Sequence, residues 1–153
     1  MAENPHYREL LQALNEFEVR YLIVGGYAIM KYTEPHYTKD LDLWVENSAE
    51  NSQRLFEALK RFGAPLDSDH ITPRTFTQGD LVYQIGIAPV RVDILTRITG
   101  VEFPNAWENK VSGSVFGVAV QFISLEHLMT NKRATGRSSD LEQLEHLSRK
   151  RKP

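Results

Sequence analysis

Residues 21–46, YLIVGGYAIMKYTEPHYTKDLDLWVE, decide how the rest of the chain is read. Tyr21, Leu22, Ile23 and Val24 form a short apolar run of the kind that fills a buried strand. Gly25 and Gly26 follow at once, and residues 27–32, YAIMKY, have the apolar spacing of a helix. A strand that turns through two glycines into a helix leaves backbone N–H groups free at the helix start. Glycine also lets a phosphate approach without meeting a Cβ. Pro35 stops the helix. The chain re-enters a strand at Asp40–Val45, where alternation puts Asp40 and Asp42 on one face and Leu41 and Leu43 toward the core. Two carboxylates side by side repel each other and lose solvation unless a cation lies between them. A hard divalent ion such as Mg2+ is the simplest candidate, because it prefers carboxylate oxygens and leaves room for substrate phosphates. The competing reading is a solvent-facing edge strand. The glycine turn, at this distance from the acids, favours the metal site.

Working outward, Asn4–Glu18 reads as a helix, with Leu10, Leu11, Leu14 and Phe17 on one side. Asn47 or Ser48 can cap a helix over Ala49–Phe62, and Gly63 stands where a glycine stop is expected. Residues 64–78, broken by Pro65 and Pro73, read as a loop. Leu81–Ile87 and Val90–Thr96 read as a hairpin joined at Ala88-Pro89. In the second strand Val90, Val92 and Ile94 share one face, and Arg91, Asp93 and Leu95 the other. Asp93 is therefore an acid in an otherwise apolar strand. It is either a third carboxylate beside Asp40 and Asp42 or half of an ion pair with Arg91 or Arg97. Residues 101–110, VEFPNAWENK, form a short segment packed on Trp107. Val115–Phe122 reads as one strand, and Ser124 caps a helix over Leu125–Thr135 that Gly136 closes. Ser139 with Glu142 forms a capping box for a last helix, Asp140–Ser148. Trp44 and Tyr83 read as core.

The composition sets bounds. A chain of 153 residues with 41% hydrophobic and 25% charged residues has the make-up of a globular domain. One domain over residues 1–153 is expected, ending in a short basic tail, 149–153. With no cysteine, disulfides and thiolate metal sites are excluded. No apolar run is long enough to span a bilayer, and the first residues lack a secretory pattern, so a cytoplasmic protein without a membrane partner is expected. The net charge of −2 is uneven: residues 132–153 carry seven Lys/Arg against three Asp/Glu. A solvated tail accounts for such a run more simply than a polyanionic partner does.

Gly25-Gly26, the gap to Asp40 and the Asp40-x-Asp42 strand together resemble the signature of the DNA polymerase β-type nucleotidyltransferase superfamily. The likeness continues through QIGIAPVRVDILT, ITGVEFPNAWENKV and FISLEHLMTNKRATGRSSDLEQLEHL, from about Tyr21 to Leu147. These segments look like a bacterial family related to the toxin component of abortive-infection, type IV toxin–antitoxin systems. The fold so implied is α+β, a small mixed β-sheet flanked by helices.

The resemblance also implies roles. Asp40 and Asp42 would bind two Mg2+ ions, with Mn2+ as the alternative, together with the triphosphate of an NTP such as ATP. Asp93 would complete the metal set and help activate the acceptor hydroxyl. Gly25, Gly26, Thr38, Lys39 and Lys132 would bind the nucleotide, and Arg137 and Asp140 match the family's tail motif. The reaction would be transfer of a nucleoside monophosphate to a hydroxyl of a tRNA, a protein or a small molecule, with loss of pyrophosphate. No side-chain nucleophile is needed for it, consistent with the lack of a recognisable Ser–His–Asp arrangement. A cognate antitoxin would be a partner. Where the family commonly has an arginine ahead of Thr38-Lys39-Asp40, this chain has His36 and Tyr37, a group only partly charged at neutral pH in place of a permanent cation. The alternative is a non-catalytic nucleotide- or protein-binding module that keeps the fold.

Overall fold

The computed structural model describes residues 5–36, 38, 40–87 and 90–151. It is built on a six-stranded sheet in the order β3-β4-β2-β1-β6-β5. The strands are β1 (Tyr21–Val24), β2 (Asp40–Val45), β3 (Val82–Ile87), β4 (Val90–Leu95), β5 (Val111–Val115) and β6 (Val118–Phe122). β2 runs parallel to β4 and β1 parallel to β6, and the other neighbours are antiparallel. The fold is thus α+β with a mixed sheet, as expected from the sequence.

Six helices accompany the sheet among the described residues: α1 (Pro5–Glu16), α2 (Gly25–Tyr32), α3 (Ala49–Phe62), α4 (Phe103–Glu108), α5 (Leu125–Thr135) and α6 (Ser138–Arg151). α1 packs along α3, α5 along α6, and α6 reaches α2. The core is formed where Leu10, Leu11 and Leu14 of α1 and Leu55, Ala58 and Leu59 of α3 join the buried faces of β1, β2 and β4. Leu55, Ala58 and Leu59 recur at i, i+3 and i+4, which gives α3 one apolar stripe. Trp44, at the C-terminal end of β2, is buried against Phe103 with ring centroids 5.1 Å apart. Tyr83 is buried as well, and its hydroxyl donates to Asp69 at 2.7 Å.

The cap signals of α3 and α5 hold. Ser48 accepts from the Asn51 N–H and Ser124 from the His127 N–H, while Gly63 and Gly136 end α3 and α5 in the left-handed conformation.

Five stretches differ from the sequence reading. The first helix stops at Glu16, and Glu18 turns the chain with φ +56°. The stretch read as one strand, 115–122, is the second half of a β5–β6 hairpin turned at Phe116 and Gly117, both with positive φ. Only Gly117 advertises that turn; Phe116 is an atypical residue for it and is held by ring contacts with Tyr7 and Tyr27. The segment around Trp107 contains α4, with Pro104 in its first turn and Trp107 stacked on Phe103. The last helix begins at Ser138, not Asp140, and the Ser139 capping box is replaced. The Asp140 side chain reaches back to the Arg137 N–H at 3.3 Å, and the Arg137 carbonyl accepts the first helical bond from Leu141. Residues 149–151, read as the start of a basic tail, continue α6, and Lys150 pairs with Glu34 at 3.2 Å. The Ala88-Pro89 turn lies outside the described residues.

Candidate active site

The site grows from two strand registers. In the antiparallel β1–β2 pair, Val24 stands opposite Asp42, so the chain leaves β1 and enters α2 at the point where Asp42 presents its carboxylate. Gly25 makes that turn with φ +67°, and a Cβ at this position would lie 2.0 Å from Asp42 Oδ2. Only glycine fits there, on both conformational and steric grounds. At Gly26 a Cβ would meet Thr38 Oγ1 at 2.4 Å. The two glycines therefore bring α2 close against Asp42 and Thr38. Thr38 Oγ1 also lies 3.5 Å from the Asp40 carbonyl oxygen, a long contact at most.

The parallel β2–β4 pair sets Asp40 opposite Arg91 and Asp42 opposite Asp93. Side chains two apart on a strand share a face, so four charged groups form a two-by-two grid of three acids and one cation. Arg91 grips Asp93 with two bonds: Nε donates to Oδ1 and Nη2 to Oδ2, each at 3.0 Å. Its Nε is also 3.8 Å from Asp40 Oδ1. The ion-pair alternative for Asp93 and its place beside Asp42 are thus both realised. Asp42 lies between the other two acids in this grid. Burial, then the charges of Asp93 and Asp40, push its pKa up to about 6, against the opposing pull of Arg91 and Lys132.

Lys132 therefore lies near enough to act on Asp42 across space. It is itself tied back to α6: Nζ is 3.5 Å from Asp140 Oδ1. Asp140 is almost wholly buried. It also accepts from Arg137 Nε at 2.6 Å and Nη2 at 3.2 Å. Arg137, then burial acting the other way, then Thr135 and Lys132 leave the Asp140 carboxyl well below the ordinary carboxylate range. These contacts join Lys132, Asp140 and Arg137 into one ionic unit at the α5–α6 junction.

His36 is exposed, and its Nδ1 is 3.2 Å from the Glu34 carbonyl. Glu34 in turn is bound by His146 at 2.9 Å and by Lys150, which lower its pKa. Lys39 and Tyr37 lie outside the described residues. Two residues of the site neighbourhood carried no functional weight in the sequence. Arg91 was legible only as an ion-pair partner, through its i−2 spacing from Asp93. Tyr7 gave no signal. Its buried hydroxyl donates to the Arg91 carbonyl at 3.0 Å and accepts from the Arg91 N–H at 3.1 Å, fixing that backbone.

The donor chemistry suits a hard divalent cation: carboxylate oxygens only, one carboxyl raised in pKa by burial and then by its acidic neighbours, and set against a bare glycine. Among the described residues, however, no three Asp, Glu or His side chains are gathered as a ready ligand group. Both oxygens of Asp93 are engaged by Arg91.

In class, this is the nucleotidyltransferase fold. The chain superposes on the lincomycin-bound lincosamide antibiotic adenylyltransferase LnuA with a TM-score of 0.56 at 14% identity, over 95% of this chain and 96% of that one. It is equally similar to TM1012, a Thermotoga maritima protein assigned to the nucleotidyltransferases: TM-score 0.56, 14% identity, 97% of this chain and 94% of the other. At such identities the likeness is one of fold. No curated protein matches the chain by sequence. The chain belongs to the family described as nucleotidyl transferase of unknown function (DUF2204), which matches residues 3–153. No helix among the described residues is long and apolar enough to cross a membrane.

Proposed function

We propose that this protein is a divalent-metal-dependent nucleotidyltransferase that moves a nucleoside monophosphate from an NTP to an acceptor hydroxyl. The observation that carries the reading is the registered carboxylate grid, Asp40 and Asp42 beside Asp93, closed by the Gly25–Gly26 turn against Asp42. Asp40, Asp42 and Asp93 would hold Mg2+, with Mn2+ as substitute, and the ions would stabilise the attacking and leaving oxygens. Gly25 and Gly26 start α2 close beside Asp42 and Thr38, and the N–H groups of this helix start would bind phosphate oxygens of the triphosphate. Lys132 offsets triphosphate charge, with Thr38 and Lys39 contributing from the segment ahead of Asp40. In the transfer the acceptor oxygen bonds to the α-phosphorus and the bond to the β-phosphate bridging oxygen breaks. Pyrophosphate leaves, and the acceptor proton passes toward Asp93 or solvent.

The acceptor is taken to be a tRNA, a protein or a small hydroxylated molecule. LnuA, by its name, adenylylates a lincosamide antibiotic, and that makes a small-molecule acceptor the first class to screen, with ATP the first nucleotide. A toxin–antitoxin role with a cognate antitoxin and a cytoplasmic location belong to the same reading. A second reading, a binding module that retains the fold without transfer, is favoured by one observation, the Arg91 clamp on Asp93.

Calorimetric titration of each NTP with Mg2+ tests the proposal, together with pyrophosphate release in the presence of acceptor pools. Metal-dependent binding that disappears in Asp40→Asn and Asp42→Asn supports a transferase. Metal-independent NTP binding that survives both substitutions turns the reading to the module.

A further inference from the structure

We infer that Arg91 is the resident cation of the carboxylate grid, and that a divalent ion takes Asp93 as a ligand only when Arg91 lets it go. The inference rests on the metal-dependent reading above and concerns this chain's own residue toward that ion. Three acids within one patch of two adjacent strands need positive charge at all times. Arg91 supplies it from the same patch, opposite Asp40 and two residues before Asp93. Its planar fork matches a carboxylate in two parallel bonds, and here it covers both Asp93 oxygens at 3.0 Å. An ion approaching Asp93 meets a ligand already engaged.

The exchange is built to be local. The Arg91 backbone is pinned on both its N–H and its carbonyl by the buried Tyr7 hydroxyl, so the strand need not move. The side chain, by contrast, is 36% exposed and has room to turn outward, whereas that of Asp93 is 11% exposed and stays in place. Asp40 is held only loosely, at 3.8 Å, and no arginine among the described residues forks onto Asp42. The order that follows is an ion first on Asp40 and Asp42, where a triphosphate can share it, and Asp93 recruited last. In the metal-free protein Arg91 keeps the grid neutral enough to fold, and in the loaded protein it is the charge that must be moved aside.

The test is Mn2+ titration of the nucleotide-free protein, with free ion read by electron paramagnetic resonance, on wild type, Arg91→Lys and Arg91→Ala. Thermal unfolding of each in EDTA is measured alongside. Loss of the clamp is expected to tighten Mn2+ binding by about tenfold, the worth of a charge-assisted hydrogen bond. Arg91→Lys, which keeps the charge but not the fork, should fall between. Arg91→Ala should melt earliest in EDTA and gain the most from Mn2+, a pattern that a merely structural arginine would not produce. Mn2+ binding equal to or weaker than wild type in a folded Arg91→Ala or Arg91→Lys overturns the inference alone. No Mn2+ binding to any of the three, with or without NTP, overturns the metal reading and this inference with it.

Discussion

Asp42 and Asp93 face each other across the parallel β2–β4 pair, and only Asp93 carries an arginine clamp. The unclamped member bears the cost of the repulsion: its pKa is pushed up to about 6, chiefly by burial and then by Asp93 and Asp40. The direction of the stability effect follows from linkage. A carboxyl whose folded pKa is raised holds its proton longer than it does in the unfolded chain. Its contribution is therefore full below about pH 4 and is lost as the pH rises to about 6. In EDTA, Asp42→Asn should then be more stable than wild type by about 3 kcal/mol at pH 7, with the gap closing toward pH 4. Urea unfolding at a series of pH values checks this. Metal must also displace the proton, so wild-type Mn2+ affinity should fall off below about pH 6 rather than near pH 4.

The two glycines should not respond alike to alanine. Gly25 has φ +67° and no space beside Asp42, while Gly26 has ordinary φ but would bring a Cβ to 2.4 Å from Thr38 Oγ1 and 3.0 Å from Thr38 Cβ. Gly25→Ala is expected to cost about 1–2 kcal/mol of backbone strain besides displacing Asp42. Its melting temperature should drop by roughly 3–8 °C, with loss of metal-dependent NTP binding. Gly26→Ala should lose less stability than Gly25→Ala, because alanine favours the helix and no backbone strain is added, yet it must push Thr38 aside and should bind NTP more weakly. Equal melting temperatures for the two variants would contradict this account.

What could be read from the sequence was what rests on local chemistry. Ser48, Gly63, Ser124 and Gly136 announce helix ends through bonds made within four residues. The strand alternation of Asp40 and Asp42 is likewise a property of neighbours. The β2–β4 register was not legible, because it depends on a parallel pairing that α3 and β3 intervene to create. The Arg91–Asp93 pair was legible from its spacing as one of two ion-pair choices, but the place of Arg91 opposite Asp40 needs that register, and the Tyr7 anchor, 84 residues away in sequence, needs the packing of α1. The β5–β6 turn was missed for a different reason: Phe116 is a poor turn residue in isolation and is stabilised by rings from α1 and α2.

Asn51 is a second residue that long-range structure alone explains, and its substitution separates folding from the site. It is buried in α3, accepts from the Arg20 N–H at 2.7 Å and donates to the carbonyls of Arg20 and Glu46 at 3.0 and 2.8 Å. It thereby ties α3 to the start of β1 and the end of β2, away from Asp40. Asn51→Ala leaves one donor and two acceptors without this partner and should cost about 3 kcal/mol. Denaturant unfolding measures that loss, and NTP affinity of the folded fraction should be unchanged.

The Lys132–Asp140 pair makes the converse prediction, in which a residue outside the carboxylate grid alters binding at it. The Asp140 side chain is 2% exposed and that of Lys132 12%, so the charge pair is held out of water. Arg137, 73% exposed, contributes mainly direction. Asp140→Asn removes the charge while keeping the shape, and leaving Lys132 uncompensated should cost about 2–4 kcal/mol. Because the Asp140 pKa is lowered in the folded state, its stabilisation is present above the ordinary carboxylate range and is lost as the pH falls through and below that range. The wild-type excess over Asp140→Asn should therefore shrink on acidification, opposite to the trend for Asp42. If Asp140 also aims Lys132 toward the triphosphate, Asp140→Asn and Lys132→Met should each weaken NTP affinity, and the double variant should be little worse than Lys132→Met. Additive losses in that cycle would assign Asp140 to the α6 cap alone, with Lys132 acting without it.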